Sequence, residues 1–418
     1  MSDKDTVKAD IVIAGGGPVG LAAACSLSAS GLQIILVDAG KEVITSDELS
    51  RNATESIFDS RVSALTVASQ SFLDLLGAWD PVKAVRLCAY EDMHVWDGEG
   101  TGSIHFSASE IHAPSLGHIV ENRLLTTALY EVAKAKPQLR FIHQDKIIGV
   151  EAVQNQAGQD TCPVHVTLAS DQVLEAKLLI GADGGNSFIR EQGGFSLREW
   201  EYGHKAIVTT VKTEKPHQYT AWQRFMKTGP LAFLPLHLPG LGAAKQQYCS
   251  IVWSCVTDKA DELLSLDDEA FQESLGKAFE FKLGRIESVD KRVGFPLWQR
   301  HATDYVLDNI ALIGDAAHTI HPLAGQGVNL GFADAQALAD VISAALAKGE
   351  DYASHQVLSR YQRSRKGKNL AMMAAMEGFK RLFASEDLML KTLRNSGLNI
   401  TDKVPMVKHE LMRGAMGF

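Results

Sequence analysis

The chain has 418 residues, enough for two or three structural units and for a buried core that needs no disulfides. Hydrophobic residues make up 45% and charged residues 22%, which excludes the disordered and low-complexity classes. The net charge of −9 argues against a nucleic-acid-binding protein that works through a general positive field. Five scattered cysteines without a CxxC pair are typical of reduced thiols and predict no zinc ribbon.

The polar N-terminus predicts no signal peptide, because it lacks an apolar core. No stretch supplies the roughly 20 apolar residues that a membrane-spanning helix needs. We therefore expect a cytoplasmic protein, with contact to a membrane surface left open.

The chain opens with a strand–helix–strand unit. Residues 10–14 predict a buried strand, 18–30 a helix and 33–37 a second strand. A unit of about thirty residues with this order is typical of the start of a parallel sheet.

Three glycines join the first strand to the helix with the spacing Gly15-x-Gly17-x-x-Gly20. The first glycine allows a tight turn, the second lets the backbone approach a pyrophosphate, and the third lets the helix pack on the strand. Pro18 and Val19 begin the helix, whose N-terminus favours phosphate. Asp38 ends the second strand, where its carboxylate can accept hydrogen bonds from ribose hydroxyls. The unit predicts a dinucleotide site but does not separate NAD from FAD.

The later elements change character along the chain. We predict helices at 62–79, 121–134, 267–281 and 327–347, a strand at 139–143, a hairpin at 163–169 and 172–180, and a buried strand at 309–313. Alternating runs at 204–212, 219–226, 230–237 and 247–257 predict an antiparallel sheet with one covered face. Residues 355–418 are predicted to be mostly helical.

Two further motifs lie far from the glycine turn. One is Gly181-Ala182-Asp183-Gly184, and the other is Gly314-Asp315-Ala316-Ala317-His318, continued by Pro322 and by Gly325-Gln326-Gly327-Val328-Asn329. Together they resemble the motifs of the class A flavoprotein aromatic hydroxylases, the family built like p-hydroxybenzoate hydroxylase. By itself, the first of the two motifs is equally compatible with a plain glycine turn after a strand.

The resemblance implies an α/β fold in which a Rossmann-like FAD-binding domain is interleaved with an antiparallel-sheet substrate domain and followed by a helical C-terminal tail. The expected boundaries are, for the FAD-binding domain, 1–85, 119–195 and 301–350; for the substrate domain, an insertion at 86–118 and the sheet at 196–300; and for the tail, 351–418.

The resemblance also implies roles for single residues. Asp315 would bind the ribityl chain, and the helix opened by Gly327, Val328 and Asn329 would face the flavin N1 and C2 carbonyl, where its N–H groups stabilise negative charge. Asp183 and Gly184 would lie near the pyrophosphate and the nicotinamide path.

Arg61 and Arg123 match arginines that the family places near the cofactor. The alternative is that both are surface residues or partners of Glu55 and Glu121, which is the usual role of an arginine.

Segments 314–332, 360–383 and 404–418 narrow the resemblance to the ubiquinone-biosynthesis branch of these hydroxylases, in particular to enzymes that oxygenate ring carbon 5 of a 2-polyprenylphenol. The resemblance implies a monooxygenase that uses FAD, O₂ and NADPH or NADH, and that hydroxylates the ring through a C4a-hydroperoxyflavin. Three alternatives stay open: another ring position, a small soluble phenol, or a non-catalytic flavin-binding or scaffold subunit. No catalytic acid or base is predicted, and an oligomer is compatible with the sequence.

Two features have competing interpretations. Trp253 shares a strand face with Cys249, Ile251 and Cys255, and either lines the ring pocket or, as we favour, packs in the core. His318 and His321 have the spacing of a metal pair, but they lack a third ligand and fall inside the flavin motif, so we predict no metal.

The C-terminal tail combines a basic run with apolar residues at helical spacing. It suits either a membrane surface or protein complex, or, as we favour, a solvated face beside a core stripe. The residues are Arg360, Arg363, Arg365, Lys366, Lys368, Met372, Met373, Met376, Phe379, Leu382 and Phe383.

Overall fold

The structure is a computed structural model that describes residues 6–43, 58–152, 163–238, 246–320, 325, 327–385 and 387–417. Pro322, Glu55 and His321, for which we made predictions from the sequence, lie outside the described residues.

The strands, in chain order, are β1 (Val7–Ala14), β2 (Ile34–Asp38), β3 (Val62–Leu65), β4 (Cys88–Tyr90), β5 (Asp92–Asp97), β6 (Ser103–Ser107), β7 (Gly117–Glu121), β8 (Leu139–His143), β9 (Ile147–Ala152), β10 (Val164–Leu168), β11 (Val173–Gly181), β12 (Leu197–Thr213), β13 (Thr220–Met226), β14 (Gly229–Leu236), β15 (Tyr248–Val256), β16 (Ile286–Val289), β17 (Val293–Ala302), β18 (Val306–Leu307), β19 (Ile310–Leu312) and β20 (His318–Thr319). The helices are α1 (Pro18–Ser28), α2 (Val67–Leu76), α3 (Trp79–Val85), α4 (Asn122–Lys134), α5 (Phe188–Gln192), α6 (Thr257–Ser265), α7 (Asp268–Ala278), α8 (Gly327–Ala347), α9 (His355–Ala384), α10 (Leu388–Lys403) and α11 (Pro405–Met416).

An eight-stranded sheet carries the opening unit of the chain. β1 lies between β2 and β11 and runs parallel to both, while β8 and β19 extend the parallel part on either side. β10 pairs antiparallel with β11, as the predicted hairpin requires. Because β1, β2 and β11 are parallel, their carboxyl ends meet at one edge, which is where such sheets bind ligands.

A nine-stranded sheet, mostly antiparallel, forms the second layer, in the order β20-β17-β12-β15-β14-β13-β5-β6 with β16 beside β12. One face is covered by α6 and α7, so Ile251, Trp253 and Phe271 share a core cluster. Trp253 is 4% exposed, with its ring centroid 6.2 Å from that of Phe271. It is therefore a core residue rather than part of a ring pocket.

A small sheet of β3, β7 and β4 corrects one prediction. The helix predicted at 62–79 was wrong at its start, because residues 62–65 pair antiparallel with β7 and the helix begins only at Val67. Thr66 ends the strand and caps the helix, its Oγ1 accepting from Ser69 N at 3.2 Å. Apolar spacing alone does not show this change, since Val-Ser-Ala-Leu suits either element.

The chain passes between the two large sheets more often than the sequence predicts. β5 and β6, within the predicted insertion 86–118, join the nine-stranded sheet, whereas β4 in the same segment belongs to the small sheet. β20, within the predicted third part of the FAD-binding domain, pairs with β17 of the nine-stranded sheet. The domain boundaries given above stay a prediction.

α8 is long and apolar enough, by length and composition, to cross a membrane, and the prediction that no segment meets this test was wrong. Its environment accounts for its composition. The helix packs against α1 and α9, and it buries Asp334 completely beside His318 and Arg365. These are properties of the core helix of a folded domain.

The basic and methionine-rich helix of the tail is α9. Its Arg365 side chain is buried, and Lys366 lies 3.7 Å from Asp304. Met373 and Phe383 are buried, which favours the core-stripe interpretation for this helix.

Candidate cofactor-binding site

The glycine turn is held by close packing. Gly15 has φ +107°, and a Cβ atom there would lie 2.4 Å from the carbonyl oxygen of Ala182, which follows β11. A Cβ atom at Gly20 would lie 2.1 Å from the carbonyl oxygen of Gly15. Both positions exclude any larger residue, so the turn, α1 and the second motif fit together only with glycine.

Gly17 differs from its neighbours because a Cβ atom there would meet nothing within 4 Å. It precedes α1, whose first position is Pro18 and whose first turn has neither a side-chain cap nor an acidic residue. Free N–H groups and the helix dipole therefore face space that the protein leaves open. This combination suits an anionic group such as a pyrophosphate.

Asp38 lies beside this turn, at the carboxyl end of β2. Its Oδ2 accepts from Gly16 N at 2.5 Å and its Oδ1 from Gly40 N at 2.6 Å. A pocket next to it is lined by Gly16, Leu21, Leu36, Asp38, Lys41, Val43, Tyr130, Phe141 and His143. Each carboxylate oxygen keeps a second lone pair, so the predicted ribose contact is compatible with these bonds.

The second motif is built around the start of α5. Ser187 caps this helix through its Oγ, and Asp183 holds that cap in place, its Oδ1 accepting from Ser187 Oγ at 2.5 Å and its Oδ2 from Ile189 N at 3.1 Å. Gly184 follows with φ +83°. The main observed role of Asp183 is thus local, and its predicted place along a nicotinamide path stays a prediction.

Arg190 joins the second motif to the third. Its Nη1 donates to the carbonyl oxygen of Ala316 and its Nη2 to that of Gly185, both at 2.9 Å. Arg300, on β17, donates to the same Gly185 oxygen at 3.1 Å. The two arginines therefore fix both motifs and the nine-stranded sheet to one another.

Asp315 lies in the loop of the third motif. Its side chain is accessible to solvent, yet the surrounding protein desolvates the carboxyl and raises its pKa, an effect that His318 and Arg61 partly oppose. Protein atoms therefore lie close around a carboxylate that solvent still reaches. This is the position expected of a residue that binds a buried cofactor.

A buried polar network supports this loop from below. The Oδ2 atom of Asp334, on α8, accepts from His318 Nε2 at 2.5 Å and from Gly314 N at 3.2 Å. Its Oδ1 accepts from Arg365 Nε at 2.8 Å and from Asn369 Nδ2 at 3.1 Å. Burial alone would raise the pKa of the Asp334 carboxyl, but His318 and Arg365 outweigh it, and the net shift is downward.

The loop also packs against α1, since Val19 contacts both Gly314 and Gly331. Further along, Gly325 lies against the backbone of Ala64. α8 begins at Gly327, continues with Val328, and has no acidic residue in its first turn. The N-termini of α1 and α8 are therefore both suited to negative charge.

The side chain of Asn329 is engaged with β3 and the residue after it. Its Oδ1 accepts from Thr66 N at 3.1 Å, and its Nδ2 donates to the carbonyl oxygen of Ala64 at 2.8 Å. Only its backbone is thus available for the predicted role at the flavin.

Arg61 and Arg123 are brought together by Asp59, whose carboxylate accepts from Arg61 N at 3.2 Å and from Arg123 N at 3.0 Å. Both arginine side chains are exposed. The alternative that Arg123 pairs with Glu121 is not observed, because Arg86 binds Glu121 at 2.6 and 2.8 Å.

Sequence reasoning missed Asp334 and Arg365 as a pair, and assigned no role to Arg190. Thirty-one residues separate the members of the pair, and no local spacing links them. The one available signal was a charged residue on the apolar side of α8, which is rarely buried without a partner. In the described ranges no group of three or more His, Cys, Asp or Glu residues could hold a metal ion.

These residues fit FAD. The open side of Gly17 at the end of α1, Asp38 with its pocket, and the accessible carboxylate of Asp315 suit the pyrophosphate, the adenosine ribose and the ribityl chain respectively. The start of α8 suits the negative charge that a reduced flavin carries.

Comparison with known proteins decides the family. The model of a family described as an FAD binding domain matches residues 8–375. The chain belongs to this FAD-binding domain family. Its predicted fold class is confirmed by a solved structure of the same fold, p-nitrophenol 4-monooxygenase PnpA from Pseudomonas putida DLL-E4. The two structures have a TM-score of 0.75 at 18% identity, with 98% of this chain and 99% of that chain covered.

Two relatives place the chain within the FAD-binding domain family. It is 35% identical over 408 residues to the 3-demethoxyubiquinol 3-hydroxylase of Escherichia coli (strain K12), with 98% of each chain covered. It is also 35% identical over 444 residues to the mitochondrial ubiquinone biosynthesis monooxygenase COQ6 of Xenopus tropicalis, covering 96% of this chain and 92% of that one. The chain is an enzyme of this family, an FAD-dependent flavoprotein monooxygenase.

Proposed function

We propose that the chain hydroxylates the phenol ring of a polyprenylated ubiquinone precursor, with O₂ as co-substrate and NADPH or NADH as the electron donor. The observation that carries the proposal is the end-to-end similarity to two hydroxylases whose names place them in ubiquinone synthesis. The candidate binding elements for the flavin support it, since the glycine turn lies against the second motif and Arg190 joins the second motif to the third. Ring carbon 5 of a 2-polyprenylphenol is the preferred site of hydroxylation.

Bound FAD supplies the redox chemistry, by which one oxygen atom of O₂ is transferred to an electron-rich ring. The chain supplies binding and orientation. The N-terminal turn of α1 would hold the phosphate charge, and the N–H groups of Gly327, Val328 and Asn329 would stabilise negative charge on the reduced ring system. Asp334 and Arg190 keep the loop of Asp315 in place. The nine-stranded sheet would act as the wall over the ring pocket that keeps water out.

The test compares substrates. The FAD-loaded protein is supplied with NADPH, O₂ and prenylated phenols that differ in the free ring position, and the hydroxylated carbon is identified by NMR. We expect one added hydroxyl at carbon 5. Hydroxylation at another carbon would overturn the ring assignment and leave the enzyme class intact.

Two controls address the remaining alternatives. A short-chain phenol that turned over as fast as the prenylated one would favour a catabolic hydroxylase of small phenols. Absence of flavin reduction by both NADPH and NADH, measured from the bleaching of the flavin absorbance, would favour a non-catalytic subunit.

A further inference from the structure

One side of the nine-stranded sheet faces away from α6 and α7, and we call it the inner face. Ile251 and Trp253 of β15 point to the covered side, since they share a core cluster with Phe271 of α7. Successive side chains of a strand point to opposite sides of the sheet, so Val252 points to the inner face. The register from β15 to β14 and from β14 to β13 then identifies the inner-face residues of those strands.

Gln223 lies on the inner face of β13. It stands opposite Ala232 of β14, which in turn stands opposite Val252. Residues directly opposite each other in an antiparallel pair point to the same side of the sheet. The preceding residue, Trp222, points the other way and packs against the cluster under α7, as alternation requires. The side chain of Gln223 therefore points away from α6 and α7.

The inner face around Gln223 adjoins the third motif through β3. Ala221 and Ala232, which flank Gln223 on this face, share a core cluster with Ala64 of β3. Ala64 in turn contacts the start of α8, because Asn329 Nδ2 donates to its carbonyl oxygen at 2.8 Å. Gln223 thus points to the side of the sheet on which the proposed flavin-binding elements lie.

The amide of Gln223 is buried without a protein partner. The residue is 5% exposed, and its side chain forms no hydrogen bond with the described part of the chain. Its neighbours across the sheet are apolar: Ala232 on β14 and, on the parallel strand β5, Val95, which is itself buried. Burial of an amide without hydrogen bonds costs stability. A ligand therefore explains a glutamine at this position better than the fold does.

A second glutamine of the inner face has the partner that Gln223 lacks. Gln299 of β17 is 3% exposed, and its Oε1 accepts a hydrogen bond from the hydroxyl of Tyr202. Leu297, two residues before it, packs against Val252, which places both β17 residues on the inner face. The two glutamines are alike in burial and differ in that Gln299 is bound within the described chain.

We propose that the side-chain amide of Gln223 binds the ring hydroxyl of the phenolic substrate and so determines which ring carbon is presented to the flavin. This assignment rests on the proposed function and deepens it, because it names the residue that recognises the hydroxyl. An amide suits this task, since its oxygen accepts from a neutral phenol and its nitrogen donates to an ionised one. The small side chains of Ala221 and Ala232 leave room for a planar ring beside it.

The experiment measures equilibrium binding to the oxidised, FAD-loaded protein from the change in flavin absorbance, without NADPH. The ligands are a 2-polyprenylphenol and the polyprenylbenzene of the same chain length, which differ only in the ring hydroxyl. We expect the wild type to prefer the phenol about tenfold and Gln223→Met to lose this preference, because the variant cannot form the hydrogen bond. The affinity for the polyprenylbenzene should change less than about twofold.

Urea unfolding of the ligand-free protein separates a ligand-binding glutamine from a structural one. Gln223→Met should not lower the unfolding midpoint, since it removes a buried amide that has no protein partner. The matched control is Gln299→Met, which removes the hydrogen bond donated by Tyr202. This control should lower the midpoint and keep the preference for the phenol.

A folded Gln223→Met that keeps the wild-type preference for the phenol would overturn the assignment, as would a loss of stability equal to that of Gln299→Met. Both results leave the proposed function intact when the wild type hydroxylates the phenol. A wild type that neither binds nor hydroxylates the phenol would overturn the proposed function, and the role of Gln223 with it.

Discussion

Gly15 and Gly17 are two residues apart, but glycine is required at each for a different reason. At Gly15 the constraint is internal, because a side chain would collide with the Ala182 carbonyl group and the φ of +107° is unfavourable for other residues. At Gly17 the protein has ample space and φ is −71°. We infer that the constraint there comes from the ligand, which must approach the backbone closely.

This difference leads to a paired prediction. Gly17→Ala should leave the free energy of unfolding of the FAD-free protein within about 1 kcal/mol of the wild type. It should lower FAD affinity at least about tenfold, because the added methyl group occupies the pyrophosphate position. Gly15→Ala should lower both the stability and the affinity. The measurements are urea unfolding and titration with FAD.

Equal losses of stability in Gly15→Ala and Gly17→Ala would contradict the different reasons given for the two glycines. Normal FAD affinity in Gly17→Ala would mean that the pyrophosphate does not approach the start of α1.

At this scale the sequence locates the glycine turn and the helix starts, because both depend on neighbours in the chain, while the roles given to single motif residues stay predictions. The structure places Gly15, Asp38, Asp183 and Asp315 around connected loops. Their contacts are harder to foresee: both oxygens of Asp183 accept from residues at the start of α5, and the Asn329 side chain binds the backbone of residues 64 and 66. Such partners depend on which segments the fold brings together.

Asp334 connects three elements, since its carboxylate binds His318 and Gly314 of the loop of Asp315 and Arg365 and Asn369 of α9. A buried carboxylate with four donors is costly to disturb, because each donor loses its partner in a place that water does not reach. The network therefore fixes the loop of Asp315 relative to α8 and α9.

We predict that Asp334→Asn destabilises the protein by about 3–5 kcal/mol, since Arg365 is left buried without its counter-charge. The control is Asp261→Asn, which removes the charge that pairs with Lys205. This pair lies at the surface, with the Asp261 side chain 52% exposed. Its cost should be at most about 1 kcal/mol. Equal shifts of the urea midpoint in the two variants would contradict a structural role for the network.

The buried His217, between β12 and β13, should make the stability of the folded protein sensitive to acid. Its Nε2 donates to the carbonyl oxygen of Leu236 at 3.0 Å and its Nδ1 accepts from Tyr219 N at 3.1 Å, so the buried ring must be neutral. Burial lowers the pKa of His217 to about 4, the Leu236 bond partly opposing this. The unfolded chain therefore takes up a proton first, and stability falls as the pH drops from about 6.5 to about 4.

The test compares unfolding free energies at neutral pH and near pH 4.5 for the wild type and His217→Gln. The wild type should lose up to about 3 kcal/mol more than the variant, because glutamine takes up no proton. Part of the acid loss will remain, since burial also lowers the pKa of His118 and of His301 to about 4. Parallel pH profiles would contradict the assignment of a neutral His217.

Elements with one strong periodic signal were predicted best. The strand at 139–143 and the helix at 327–347 have the observed bounds. The helix predicted at 62–79 failed because β3 is defined by its pairing with β7, a contact across more than fifty residues. Short strands such as β5, β6 and β20 were missed for the same reason, since pairing rather than local composition determines them.

At the scale of the whole molecule, one chain alternates between two large sheets and closes with a helical tail. The candidate cofactor site lies where the edge of the parallel sheet, the loop of Asp315 and the start of α8 meet. The resemblance read from three distant motifs led to this fold class, which the structure and its relatives confirm.

The most direct test of the central claim is the fate of molecular oxygen. The FAD-loaded enzyme is incubated with a 2-polyprenylphenol, NADPH and ¹⁸O₂, and the product is examined by mass spectrometry. We predict a ring hydroxyl that carries one ¹⁸O atom. A substrate recovered with unchanged mass, while NADPH is consumed and hydrogen peroxide accumulates, would contradict it.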